Sequence, residues 1–297
     1  MRHTLPLIYF EAVAKHGSIR SAAEELSITA SALNRRIISM EEELGVELFE
    51  RHSNGVRLNI AGEIFIQHSR KQLADLERVR SSIADITGMR RGHVRIAATR
   101  EVTRYFLPTA ITAYREEFPG VTFDVNAMNR EDVEQQLVDH HADLIVVFQP
   151  TRLSEVHTLI HTRQQVFCVM SRNHALADQE TLQLSDCSKY DLLLSKRGDG
   201  VRELIESASV RMGLRCDPAI ESNDPAFLER VAMEGGGLSF AIPIGISQFH
   251  TKTRLTSVAM RRGEVDRGFL FVGQLRNRTL PVAAAKFVED LRKRLED

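Results

Sequence analysis

Cysteine is scarce in this sequence. Cys168, Cys187 and Cys216 are odd in number and widely spaced, which excludes a disulfide framework and leads us to expect a reduced, cytoplasmic compartment. Long apolar runs are missing too. None approaches the ~18 residues a membrane-crossing helix needs, so no membrane span is expected. No secretory leader is expected either, because Glu11 and Lys15 interrupt the apolar stretch after Leu5. Net charge is also lacking. The formal charge is −1, and the 12 basic and 12 acidic residues of positions 1–90 cancel. Nucleic-acid modules are often basic overall, so here an electrostatic argument must rest on where the charges sit. The rest is ordinary: 43% hydrophobic and 27% charged, over 297 residues, enough for two or three domains.

Residues 1–58 read as helices of 3.6 period. Leu5, Ile8 and Ala12 share one face of a first helix, which Gly17-Ser18 breaks. Ser18 is a good N-cap for a second helix to about Leu26, with Ala22, Ala23 and Leu26 as its small buried side. A third helix starts near Thr29, with Leu33, Ile37, Met40 and Leu44 as core positions, and ends at Gly45. Two short helices around a tight turn, with small residues where they cross, suggest a helix-turn-helix.

At 100° per residue, Ser31, Asn34, Arg35 and Ile38 lie opposite that core stripe, with Ala30 and Arg36 beside them. The stretch SITASALNRRII, Ser27 to Ile38, holds no acid, while Glu41–Glu43 follow at once. Small groups permit close approach to a groove, Asn can bond an adenine edge, and Arg can bond guanine or phosphate. The alternative is a solvated helix face. Next, Asn54-Gly55 is a two-residue hairpin turn signal, flanked by Arg51, His52 and Arg57 without an acid between them. A basic hairpin after a helix-turn-helix is a wing suited to phosphate contact; an ordinary charged hairpin is the bland reading.

Residues 59–88 predict one long helix, with Asn59 as its cap and Glu63 in its first turn. Leu76, Val79, Ile83 and Ile86 keep a 3-4-3 spacing, and Phe65, Ser69 and Gln72 fit the same register. This suits a helix that pairs in a dimer; the alternative is packing on its own domain. The basic GMRRG, Gly88 to Gly92, reads as a hinge. In residues 89–297 strands and helices alternate, which predicts parallel sheets covered by helices. Two subdomains with a cleft between them are expected, at about 92–162 with 267–297 and about 163–266. Ligands of such sheets bind beyond the carboxyl ends of the strands.

Together these residues resemble the LysR-type transcriptional regulators over nearly the whole chain. The resemblance is most specific from Gly17 to Arg51 and from Val56 to Gly62. It rests on Met40-Glu41, Leu44-Gly45 and Leu48-Phe49-Glu50-Arg51, then on HALAD at His174–Asp178 and EGGGLSFAIP at Glu234–Pro243. It implies an N-terminal all-α winged helix-turn-helix with a long linker helix, then an α/β effector domain of the two-subdomain, type 2 periplasmic-binding-protein kind. It also implies a homodimer or homotetramer, a dimer of dimers, on double-stranded promoter DNA, answering to a small effector and needing no cofactor or metal. Where relatives commonly carry Ser-Gln-Pro-Ala-x-Ser-Arg-Gln, this chain has Thr29-Ala30-Ser31-Ala32-Leu33-Asn34-Arg35-Arg36. The usual base-reading Gln is Ala30, which moves the expected specificity onto Asn34 and Arg36, with Arg35 on phosphate. Ser18, Arg20, Thr29, Ser31, Arg51, His52 and Arg57 complete the expected DNA contacts. Mapped from the family, the effector residues are Thr99, Arg100, Thr103, Met128, Asn129, Ser195, Arg197, Ser222 and Asn223. Thr99 stands where a strand meets a helix N-terminus, and with Arg100 and Arg197 it suggests an anionic metabolite, an organic acid.

Other motifs point elsewhere less well. His157-Thr-Leu-Ile-His161 has metal-helix spacing in a stretch that reads as strand or connection. Gly237-Leu-Ser239-Phe-Ala241 resembles a nucleophile elbow yet precedes a strand, and Gly235–Gly237 follows a helix, where a turn of positive φ explains it better. No cysteine is marked as having a depressed pKa. An enzyme would need a nucleophile and base that are not evident, and a transporter's solute-binding protein would need a leader.

Overall fold

The computed structural model describes residues 4–86, 91–246 and 254–296. The chain divides into two compact units, Met1–Ile86 with Asp139–His141, and Thr87–Val138 with Ala142–Asp297.

The first unit runs α1 (Leu5–His16), α2 (Ile19–Glu25), α3 (Ala30–Leu44), β1 (Phe49–His52), β2 (Gly55–Leu58) and α4 (Ile60–Ile86). The caps are those the sequence predicts. Ser18 Oγ accepts from Ser21 N at 3.3 Å, Thr29 Oγ1 accepts from Ala32 N at 3.3 Å, and Gly45 closes α3 in the left-handed region. The core differs in part. Of the predicted α1 stripe only Ala12 is buried; Leu5 and Ile8 are exposed. Phe10 and Val13 take their place, and Phe10 packs tilted against Phe49 and edge-to-face with Phe65, with ring centroids at 5.1 and 4.9 Å. Aromatic rings bury more surface, so they set the face that turns inward. On α3, Leu33, Ile37 and Met40 are buried, but Leu44 is 46% exposed because the chain turns at Gly45 and Leu48 fills the core.

The hairpin forms one residue earlier than Asn54-Gly55 suggests. His52 pairs with Gly55, leaving Ser53-Asn54 as the turn. Gly55 has φ +135°, and a Cβ there would lie 2.2 Å from Gly17 O, while Val56 N donates to that same oxygen at 2.8 Å. Glycine is needed for docking the wing, not for its turn. Asn59 starts α4 as predicted. Its Oδ1 accepts from Gly62 N at 2.8 Å, and its Nδ2 donates to Glu47 O at 2.7 Å. Of the predicted seam, Phe65 packs on Phe10 and Ser69 is buried, whereas Val79 and Ile83 are exposed; Ile60 and Ile64, outside that register, are exposed as well. The Ile86 side chain and residues 88–90 of the expected hinge lie outside the described residues.

The second unit holds two sheets. The first joins β3 (Gly92–Thr99), β4 (Val121–Met128), β5 (Leu144–Phe148), β6 (Val156–Gln164) and β13 (Gly268–Leu275) in the order β4-β3-β5-β13-β6. The other joins β7 (Phe167–Ser171), β8 (Thr181–Leu182), β9 (Leu192–Ser195), β10 (Pro218–Ser222), β11 (Leu238–Ala241) and β12 (Leu255–Met260) in the order β10-β9-β11-β7-β12-β8. Helices α5 (Arg100–Arg104), α6 (Phe106–Glu117), α7 (Val133–Val138), α8 (Leu184–Cys187), α9 (Gly200–Met212), α10 (Pro225–Met233) and α11 (Val282–Glu296) complete it. Parallel sheets were the expectation; both are mixed. β13 runs antiparallel to β5 and β6, and β7 antiparallel to β11 and β12. Each reversal is made by a strand reached without a crossover helix: β6 to β7 is a two-residue link, and β13 returns to the first sheet, as does α11, which packs on β3 and α6.

Candidate functional site

On the first unit, Ser31, Arg35, Arg36 and Ile38 of α3 are exposed, with Thr29 and Ala30 at its start. Among the described residues, neither Arg35 nor Arg36 is in an ion pair. Asn34 is half-buried, and its Oδ1 accepts from Arg51 Nη1 at 3.2 Å, so the wing and α3 are joined through these two side chains. Glu41, the first acid after the acid-free stretch, is turned away. Its Oε1 accepts from Leu48 N at 2.7 Å and Phe49 N at 3.2 Å, holding the start of the wing. The wing is less basic than it reads. Glu50 stands opposite Arg57 in the hairpin register and lies 3.5 Å from His52. Arg20 is exposed and meets Glu24 one turn on at 3.4 Å, and Ser18 serves as the α2 cap.

On the second unit, a cavity of about 260 Å³ opens where β3, β4, β5, β9 and β10 end, as expected for sheets whose strands point one way into a cleft. Basic groups line it: Arg100, Arg130, Lys196 and Arg197. Arg100 Nη1 donates to Asn129 Oδ1 at 2.6 Å, and Arg197 is 84% exposed, 3.5 Å from Glu206. Arg130 pairs with Glu203 and donates to Gln149 O at 2.9 Å. Acidic groups line it as well: Glu101, Glu131 and Asp199. Burial, then the nearby Asp199 charge, push the Glu101 carboxyl up to about 7. Burial also raises Asp199, although its Oδ1 caps α9 by accepting from Val201 N at 2.9 Å and Arg202 N at 3.0 Å. α9 can start this close because residue 200 is glycine; a Cβ there would be 2.9 Å from the side chains of Phe148 and Gln149. Beside the cavity, Arg104 of α5 pairs with Glu229 of α10, which also accepts from the Tyr105 hydroxyl at 3.1 Å.

The sequence matches the bacterial regulatory helix-turn-helix protein, lysR family, over residues 6–63 and the LysR substrate binding domain over residues 87–296. The chain belongs to the LysR family of transcriptional regulators. The RuBisCO operon transcriptional regulator of Allochromatium vinosum is 26% identical over 280 residues, 94% of this chain and 92% of that protein. Full-length CbnR, solved in complex with its target DNA, superposes with a TM-score of 0.67 at 21% identity, covering 98% of this chain and 99% of CbnR. The effector binding domain of QuiR in complex with shikimate superposes with a TM-score of 0.58 at 14% identity, covering 69% of this chain and 98% of that domain. These structural likenesses show a shared fold. The homologues are regulators, not enzymes.

In this LysR regulator, Thr99, Arg100, Met128, Asn129, Ser195, Arg197 and Asn223 line the cavity. Two predicted residues do not. Thr103 donates to Arg100 O at 3.0 Å inside α5, and Ser222 Oγ accepts from Asp224 N at 3.1 Å ahead of α10; both tie local backbone. Thr99 lines the cavity, but its hydroxyl already serves the protein. It accepts from Phe148 N at 3.2 Å and bonds Glu101, and α5 is only five residues long. Glu101, Arg130, Lys196 and Asp199 were missed. Arg130 and Lys196 each follow a residue that was chosen, and Asp199 is readable as a cap before a helix; nothing in the sequence placed Glu101 and Asp199 together. The two histidines of His157–His161 lie on strand β6, not on a helix, and His161 stacks against Phe269 and Phe271. Ser239 is buried within β11. Burial raises the Cys168 thiol well above its ordinary value and raises Cys216. No helix among the described residues is long and apolar enough to cross a membrane.

Proposed function

We propose that this regulator binds promoter DNA through Asn34, Arg35 and Arg36 on α3, with Arg51, His52 and Arg57 on the wing and Ser18, Arg20, Thr29, Ala30 and Ser31 at the approach. Its affinity or geometry on DNA is set by an organic acid held in the cleft. The observation that carries the effector half is the convergence of Arg100, Arg130, Lys196 and Arg197 on one cavity at the strand ends. Shikimate, bound by the QuiR domain, is a carboxylic acid and supports the same class. The DNA half is supported by the acid-free stretch Ser27–Ile38 at the start of α3, by Arg35 and Arg36, which make no ion pair among the described residues, and by CbnR binding its target DNA with the same fold.

The working assembly in this reading is a cytoplasmic homodimer or dimer of dimers, paired through the exposed aliphatic side of α4. The working parts are the winged head at 1–58, the linker at 59–88 and the effector domain at 89–297. An effector acts by favouring one of two arrangements of the cleft, which requires different affinity for each. The test is fluorescence anisotropy on labelled DNA from upstream of the gene, at several salt concentrations and against scrambled competitor, repeated with a panel of organic acids. Competitor-resistant binding that one acid shifts supports the proposal. Binding that no acid alters removes the effector half, and loss of all binding to competitor removes the DNA half.

A further inference from the structure

The organic-acid reading accounts for Arg100, Lys196 and Arg197 but not for the carboxylates that line the same cavity, of which Asp199 also caps α9. Glu101 is the sharpest case. Two of its neighbouring guanidiniums are ion-paired elsewhere, Arg104 with Glu229 and Arg130 with Glu203, and Arg100 donates to the neutral Asn129. Among the described residues no ion pair reaches Glu101; burial and the like charge of Asp199 outweigh the Thr99 hydroxyl bond and the Arg100 charge that favour its ionised form. Burying a carboxylate beside a second one is unfavourable unless a proton or a cation sits with them. A ligand bearing only negative charge would add to that repulsion, and one bearing only positive charge would meet four basic side chains.

We propose that the effector carries both signs: a carboxylate held toward Arg100, Lys196 and Arg197, and an ammonium group held between Glu101 and Asp199. The ligand class is therefore a small amino acid or a close relative. The inference rests on the cleft being an acid-binding site and narrows it. Phe148, Met128 and Pro225 offer apolar surface for the carbon skeleton.

Proton balance follows from this arrangement. The two carboxylates by themselves keep a proton on Glu101 up to about pH 7. An arriving ammonium replaces that proton, which leaves to solvent while the ligand stays charged. The titratable and charged groups around Glu101 are Arg100 and Arg104 on its own helix, Arg130 and Glu131 after β4, Lys196, Arg197 and Asp199 between β9 and α9, and Glu229 on α10. β5 and the turn Pro243–Gly245 contain no titratable residue. At pH 6 a group of pKa about 7 is roughly nine-tenths protonated, so binding releases close to one proton; at pH 8 release falls toward zero.

The experiment uses the full chain and matched probes: L-alanine with L-lactate, L-aspartate with L-malate, L-glutamate with L-2-hydroxyglutarate. Each is measured by thermal shift and by calorimetry at pH 6 and 8 in two buffers of different ionisation enthalpy. In at least one pair the amino member is expected to bind about tenfold more tightly than its hydroxy partner, a difference of about 1.4 kcal/mol. Proton release is expected with it at pH 6. E101Q, nearly isosteric, should bring the pair within about threefold of each other and abolish the proton release. D199N, whose remaining amide oxygen still caps α9, serves as the second variant and should narrow the preference in the same direction. Hydroxy acids binding as tightly as their amino partners would overturn this inference and leave the organic-acid reading standing. No probe of either kind binding would overturn both.

Discussion

Two side chains separate what a residue is from what it is free to do. Asn34 is the natural base reader of α3, because an amide can present its oxygen and nitrogen together to an adenine edge. In the unbound protein that oxygen is held by Arg51, so bidentate reading requires Arg51 to swing to another acceptor, such as a phosphate. Asn34→Ala is expected to weaken specific binding by about 1–3 kcal/mol while barely changing non-specific binding. In a double-mutant cycle with Arg51→Ala the two effects should not add. Equal losses on specific and scrambled DNA, measured by competition anisotropy, would remove the base-reading role. Glu101 makes the opposite point. Its ordinary value of 4.5 is raised to about 7 in the folded chain, so between those pH values the native state keeps a proton that the unfolded state releases. Stability therefore falls as pH rises through that window. Glu101→Gln should flatten the slope and be more stable than the parent at pH 8, by on the order of 1–3 kcal/mol, with little difference near pH 4. Urea unfolding at several pH values followed by circular dichroism checks this; parallel stability curves would mean that the site is well hydrated.

At the scale of elements, the wing shows why local signals carry only part of a fold. Its existence was legible from Asn54-Gly55, but its register was set by a contact 38 residues away in sequence, Gly55 against Gly17 O. Gly55→Ala is expected to destabilise the first unit by about 1–3 kcal/mol, since it combines an unfavourable φ with a clash against backbone; a midpoint in urea unchanged from the parent would argue that the hairpin can shift. Arg57→Ala should lower the slope of log affinity against log salt by about 1 through loss of one phosphate contact. An unchanged slope would mean that Glu50, opposite Arg57, already neutralises it. Helix caps at Ser18, Thr29 and Asn59 and the α3 stripe were readable because each depends on residues within a few positions. The α1 face, the mixed sheets and the meeting of Glu101 with Asp199 were not, because each depends on partners brought in by tertiary packing.

For the whole molecule, the aliphatic side of α4 is the feature with most reach. Ile60 and Ile64 are 84% and 71% exposed, and Val79 and Ile83 are about half exposed, which is unfavourable for a free-standing helix. Replacing Ile64 and Ile83 together by Glu is expected to shift the mass measured by light scattering from oligomer to monomer and to weaken binding to a two-half-site DNA far more than to a single half-site. A variant that stays oligomeric would place the pairing surface elsewhere.

The return of β13 into the first sheet has a consequence for how the molecule is made. β13 lies between β5 and β6, yet its residues begin more than 100 positions downstream of β6. During synthesis the helices and hairpin from α1 to α4 can pack as soon as α4 has emerged, whereas β5 and β6 must wait for their shared neighbour. Each nascent chain therefore holds a finished DNA-reading head before it owns the sheet that answers to a ligand. Until then β5, all five of whose residues are buried in the finished structure, has an unpaired edge, and that interval is when the protein is most exposed to aggregation.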